Sequence, residues 1–205
     1  MKNKNIELFD KWAQSGKDIS MENGHSKSVD FMLKILDEKS LFDNKFSFLD
    51  LGCGNGWVVK KISKNNFCSL AVGIDGSENM IKNAKLNSKD EIFINENIEN
   101  WHWNKKFNIV FSMETLYYVK DIDCLLKNIY TNLLIDKGSI IIGVDHYLEN
   151  KPSLMWGEDY NLDIVTLSVK QWEKLFFKNK FKNIKLYFTG QKDDWNGTLV
   201  IYAQK

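Results

Sequence analysis

The chain has 205 residues and a single proline. At roughly 150 residues per domain this fits one folding unit with enough chain for a sizeable core. Its 28 basic residues are all lysine, set against 27 acidic ones for a net charge of +1, so no strong field and no guanidinium fork is available for reading nucleic acid. The three cysteines, Cys53, Cys68 and Cys124, show no C-x-x-C pair and no zinc spacing. The N-terminus lacks an apolar leader core, and no run of about 18 apolar residues occurs. The expectation is a cytoplasmic protein with reduced thiols, no metal, no membrane segment and no nucleic-acid partner.

In chain order, residues 1–45 predict a helical cover: Ile6–Gln14, carrying Leu8, Phe9 and Trp12, and Val29–Asp37, carrying Val29, Met32, Leu33 and Leu36, joined by the polar stretch Ser15–Ser28. Residues 46–147 alternate buried-strand runs with helical spacing. Strands are expected at Phe46–Leu51, Leu70–Asp75, Ile92–Asn95, Phe107–Met113 and Ser139–Asp145, and helices at Gly56–Asn65, Ser77–Leu86 and Ile122–Leu134. Such alternation means right-handed crossovers and a parallel sheet covered on both faces. Residues 148–167 form an aromatic, acidic insert, and 168–205 supply a last helix and two strands, Ile184–Thr189 and Thr198–Ala203. Only about eight residues separate those two strands, too few for a crossover helix, so they must pair as an antiparallel hairpin.

The most informative stretch is Phe48–Gly56, FLDLGCGNG: a buried strand that runs into G-x-G-x-G and then into a helix. Alternate glycines let the backbone turn sharply and approach a ligand at a helix N-terminus. Asp50 is a carboxylate near the end of an otherwise apolar strand, and Asp75 ends the next strand, nineteen positions after Gly56. That is close to the spacing at which an acid accepts from ribose hydroxyls. An adenosyl ligand is implied, and the early third glycine departs from the G-x-G-x-x-G of dinucleotide sites.

LDLGCGNG followed by GIDGSENMI resembles the first two motifs of the class I S-adenosylmethionine-dependent methyltransferases. The resemblance implies a Rossmann-like α/β fold: a seven-stranded, mostly parallel sheet with helices on both faces and an antiparallel C-terminal strand hairpin. It also implies S-adenosylmethionine as cofactor and S-adenosylhomocysteine as product. Gly52, Cys53, Gly54 and Gly56 would pass beneath the methionine part, with Asp50 alongside. Asp75 would hold the ribose, and Gly76, Ser77 and Met80 would flank the adenine. Asn97, where the family usually has Asp, would accept from the adenine amino group, with Ile98 offering a backbone N–H and Glu96 as the alternative. Met113 would approach the sulfonium.

The segment after the fourth strand, Ser112–Val119, resembles the place where cofactor and acceptor meet in that family. It makes Glu114, Tyr117 and Tyr118 candidate acceptor contacts, with His146 after the fifth strand and Trp156 in the insert. Trp156 and Tyr160, with Glu149, Glu158 and Asp159, could form a pocket for a cationic acceptor. Methyl transfer requires a base only when the acceptor must lose a proton, and the candidates are His146, His25 and Tyr117, with His102 read as structural. The expected partner is a small-molecule acceptor. Two alternatives stay open: an NAD-dependent oxidoreductase, disfavoured by the glycine spacing and by the lack of a lysine four residues after Tyr117 or Tyr130, and a non-catalytic binding subunit of the same fold.

Overall fold

Asn3 starts the first helix: its side-chain oxygen accepts from the backbone N–H groups of Asn5 and Ile6 and caps α1, Lys4–Gln14. The computed structural model describes residues 3–86, 88–99 and 101–205, and its contacts fall into two units, residues 1–101 and 102–205. In the first, Gly16 takes a left-handed conformation, and α2 follows at Lys17–Glu38. The polar stretch expected to link two helices is therefore mostly helix. Its Lys, Glu and Met residues are good helix formers, and the apolar spacing marks only the buried half, where Val29, Met32, Leu33 and Leu36 lie inside.

Three parallel strands follow: β1, Phe46–Leu51, β2, Cys68–Asp75, and β3, Ile92–Asn95. β2 pairs with both others, bringing Asp50 opposite Gly73 and Asp75 opposite Asn95. The crossovers are α3, Trp57–Ser63, and α4, Glu78–Lys85. Val59, Ala71, Ile81, Ala84 and Phe93 pack with Cys53 into one apolar cluster; a fully buried large side chain contributes about 1.5–3 kcal/mol.

The second unit contains β4, Phe107–Met113, α5, Ile122–Asn128, and β5, Leu134–Val144, which runs parallel to β4. The helix expected to reach Leu134 stops at Asn128 and widens into a π-helical turn, Ile129–Leu133. β5 starts five residues before its expected beginning, because Leu134 already pairs with Phe107. A short helix, α6 at Trp156–Asp159, lies in the insert, and α7, Val169–Lys178, opens with a capping box between Ser168 and Gln171. β6, Lys182–Thr189, and β7, Thr198–Gln204, form the antiparallel hairpin, and β7 also pairs antiparallel with β5. The strand order is β3-β2-β1-β4-β5-β7-β6, the Rossmann-like arrangement with a reversed seventh strand. Among the described residues no helix is long and apolar enough to cross a membrane.

Candidate functional site

The β1–α3 turn is built so that its backbone donors point inward. Gly52, Gly54 and Gly56 all have positive φ, at 76°, 53° and 76°, where a Cβ is disfavoured. The N–H groups of Gly52 and Cys53 donate to the Ile74 carbonyl, at 2.8 and 3.0 Å, and that of Gly56 donates to the Cys53 carbonyl. The N–H of Gly54 donates to Asp75 Oδ2 at 2.9 Å. Cys53 contributes backbone only: its Sγ fills the space above Gly73, and burial pushes its thiol pKa well up. At Gly54 an added Cβ would find nothing nearer than Met80 Sδ at 3.9 Å, so the turn keeps an open surface there. The Asn55 side chain faces away, donating to Glu22 of α2.

Asp75 is half-buried, and each of its oxygens accepts one backbone N–H, Oδ1 from Ser77 at 2.8 Å and Oδ2 from Gly54. A carboxylate has about four acceptor positions, so capacity remains for two hydroxyls. Burial raises its pKa, against the lowering effect of those N–H bonds. Asp50 is buried, and desolvation followed by the charge of Asp75 holds its pKa well above the usual carboxylate range.

The residues expected around adenine are placed less openly. Ser77 is buried as the N-cap of α4, accepting from Met80 N–H and donating to Asp10 of α1. Met80 is buried beneath the turn. Gly76 lies under α1, where an added Cβ would sit 2.5 Å from Ile6 Cδ1. Asn97 turns its side-chain oxygen to the backbone N–H of Glu99, which leaves one lone pair, and Ile98 is buried.

In the second unit Met113 is half-buried at the end of β4. Glu114 follows with φ 55°, a left-handed conformation costing on the order of 1–3 kcal/mol for such a residue. Three bonds hold it there: its N–H donates to the Gly143 carbonyl, Oε1 accepts from Asp145 N–H, and Oε2 accepts from Tyr117 OH at 2.6 Å. Burial, then the nearby Asp145 carboxylate, raises the Glu114 pKa well above its ordinary value. Tyr117 is 1% exposed and Tyr118 half-buried, their ring centroids 4.4 Å apart.

His146 is sealed in. Nδ1 lies 3.0 Å from the Ser153 carbonyl, which requires that nitrogen to donate, and Nε2 lies 2.7 Å from Thr166 Oγ1. Both ring nitrogens are engaged inside the protein, and burial lowers its pKa, so the neutral ring pins the insert to the end of β5. His25 is half-buried on α2 rather than in a loop, and His102 is exposed. Trp156 is half-buried, its ring 6.2 Å from His146 and 6.0 Å from Trp195. Glu149, expected beside it, accepts instead from Val169 N–H at the start of α7. A Tyr-x-x-x-Lys spacing does occur at Tyr147 and Lys151, but Tyr147 is fully buried and donates to the Gly197 carbonyl while Lys151 is exposed. They do not form a dyad.

A family profile described as "Methyltransferase domain" matches residues 42–195. The chain belongs to this family. The methyltransferase domain is 28% identical over 116 residues to a malonyl-[acyl-carrier protein] O-methyltransferase of Bacillus anthracis, covering 56% of this chain but 43% of that protein. It is 27% identical over 188 residues to a ubiquinone biosynthesis O-methyltransferase of Pelagibacter ubique, covering 83% and 77%. It thus spans less than half of the first relative and about three quarters of the second. In fold it is similar to a chain from the complex of the Haloferax volcanii Trm112 methyltransferase activator with a methyltransferase, with a TM-score of 0.79, 23% identity and 96% of each chain covered.

Methyltransferases of this family use S-adenosylmethionine, and the residues present fit it. Asp75 retains acceptor positions for two ribose hydroxyls, the surface at Gly54 is open, and two carboxyl groups, Asp50 and Asp75, suit a cationic ligand. Sequence reasoning missed Asp10, Asp145, Thr166 and Trp195. Asp145 carried a usable signal, a carboxylate closing the apolar run of β5, as Asp50 and Asp75 do in their strands. The others follow from tertiary contacts that no local pattern announces.

Proposed function

We propose that the chain is an S-adenosylmethionine-dependent methyltransferase acting on a small-molecule acceptor in the cytoplasm, where the exposed free thiol of Cys124 stays reduced. One observation carries the choice of ligand: the N–H groups of Gly52, Cys53, Gly54 and Gly56 are all bonded within the protein, one of them to a carboxylate. A dinucleotide needs such donors for its pyrophosphate; a sulfonium-bearing adenosine carries positive charge and does not. This favours the methyltransferase over the oxidoreductase.

When bound, S-adenosylmethionine supplies an activated methyl group with its leaving group already attached. Asp75 holds the ribose, the glycine turn sets the position of the methionine chain, and Asp50 adds negative potential beneath it. Ile6 of α1, above Gly76, keeps water from this edge. Asn97 and Ile98 are assigned to the adenine edge, and Met113, Glu114, Tyr117, Tyr118 and Trp156 to the acceptor. His146 is assigned to support of the insert.

Methyl-labelled S-adenosylmethionine, incubated with the protein and a small-molecule extract, tests the acceptor class. Label should enter the small-molecule fraction. Label confined to protein or RNA would contradict it.

A further inference from the structure

The second unit contains a line of hydroxyl and carboxyl groups that cofactor binding leaves unused. Tyr117 donates to Glu114 Oε2 at 2.6 Å, while the other Glu114 oxygen is fixed by Asp145 N–H. Tyr118 lies against Tyr117, their ring centroids 4.4 Å apart and their planes tilted by 53°, and the two phenols interact electrostatically. Tyr117 is enclosed, whereas Tyr118 is only half-buried. The line therefore runs from a half-buried phenol, through a fully buried one, to a half-buried carboxyl. The titratable groups facing Glu114 are Asp145 and Tyr117, and those facing Tyr118 are Tyr117, Glu114, Asp145 and Tyr160.

We infer that Tyr118, Tyr117 and Glu114 form a proton path that accepts the proton of a hydroxyl acceptor, so that the substrate class is a phenol or enol rather than a carboxylic acid. This rests on the methyltransferase assignment and deepens it. A carboxylate acceptor arrives already ionised, needs no base, and would be repelled by the paired carboxyl groups of Glu114 and Asp145. A hydroxyl acceptor needs its proton removed, and Glu114 already accepts from the Tyr117 hydroxyl, while desolvation and then the Asp145 carboxylate raise its pKa well above the ordinary carboxylate range. As the acceptor oxygen bonds to the methyl carbon and the carbon–sulfur bond breaks, the acceptor proton passes to Tyr118. The Tyr118 proton passes to Tyr117, and the Tyr117 proton to Glu114 Oε2, which later releases it to water. Charge balances, because the cationic donor becomes neutral as Glu114 is neutralised.

A second observation favours a flat acceptor. The rings of Tyr118, Tyr117, His146, Trp156 and Trp195 follow one another at 4.4, 5.4, 6.2 and 6.0 Å, ending at two half-exposed indoles. Aromatic rings at such distances attract further aromatic rings.

The test begins with calorimetry of S-adenosylhomocysteine on the intact protein, which checks the cofactor assignment by itself; absence of binding would overturn that assignment and the proposal with it. With S-adenosylhomocysteine saturating, 4-nitrocatechol is titrated at a pH below its free ionisation and followed by its phenolate absorbance. The wild type should bind it as the anion, and Y118F, Y117F and E114Q should not. With S-adenosylmethionine, catechols should be methylated in preference to matched benzoic acids. Y118F should lower kcat about 100-fold, the usual scale for acid–base catalysis, with KM and S-adenosylhomocysteine affinity changed less than threefold. Y117F, which removes only an oxygen, guards against misfolding of E114Q. Preference for carboxylic acids, absence of transfer to any catechol by a protein that binds S-adenosylhomocysteine, or wild-type spectra and kcat in both tyrosine variants would each overturn the proposal.

Discussion

Asp75 is proposed to connect the glycine turn to the ligand, because the same carboxylate that takes Gly54 N–H and Ser77 N–H retains acceptor positions for ribose. Asp75→Ala should weaken S-adenosylhomocysteine binding by about 3 kcal/mol, roughly 100-fold in Kd, the scale of two charge-assisted bonds; unchanged calorimetric affinity would contradict this. Asp50 acts through charge. Its pKa is raised in the folded chain by burial and by Asp75, so the folded state binds its proton more tightly than the unfolded one. The resulting stabilisation is complete below the ordinary carboxylate range and is lost as pH rises through the raised value. Ligand-free protein should therefore become less stable across that window, and Asp50→Asn should flatten the dependence and stabilise the high-pH side by about 1–3 kcal/mol, as read from Tm against pH. At this scale a carboxylate closing an apolar strand marked Asp50 and Asp75 in the sequence, though the same signal at Asp145 went unread, and the place of His146 at the end of β5 said nothing of the Ser153 and Thr166 groups that enclose it.

At the scale of elements, the Asp10 side chain fastens α1 to the start of α4. Asp10 Oδ1 accepts from Ser77 Oγ and from Asn79 N–H, and Oδ2 from the Asn79 side chain. It acts as a second cap on α4, and these bonds lower its own pKa despite partial burial. Asp10→Ala should cost about 1 kcal/mol, the value of a lost cap, and should speed hydrogen exchange along Glu78–Lys85 and Lys4–Gln14 more than elsewhere; uniform exchange would sink the idea of a clasp. The existence of α1 was legible from its apolar spacing, but its partner was not, because Asp10 and Asn79 are separated by 69 positions and neither stands out locally. The helical stretch Lys17–Ser28 was missed because it has little apolar periodicity of its own; α2 carries it by continuity with the buried turn that begins at Val29.

For the whole molecule, apolar runs and short connections were enough to read all seven strands and to show that one strand of the final hairpin is reversed, since a parallel pair cannot be joined by eight residues; that it is the last strand came from the family resemblance. Strand limits shifted where a neighbour extended the pairing, as at Leu134. The order β3-β2-β1-β4-β5-β7-β6 and the family membership agree with a chain built around an adenosyl cofactor, and the inward-turned donors of the glycine turn identify which kind. Calorimetric titration of the full chain with S-adenosylhomocysteine and, separately, with NAD tests this most directly. The expected result is saturable micromolar binding of S-adenosylhomocysteine that Asp75→Ala weakens about 100-fold, with no heat from NAD. Tight binding of NAD, or S-adenosylhomocysteine binding indifferent to residue 75, would contradict it.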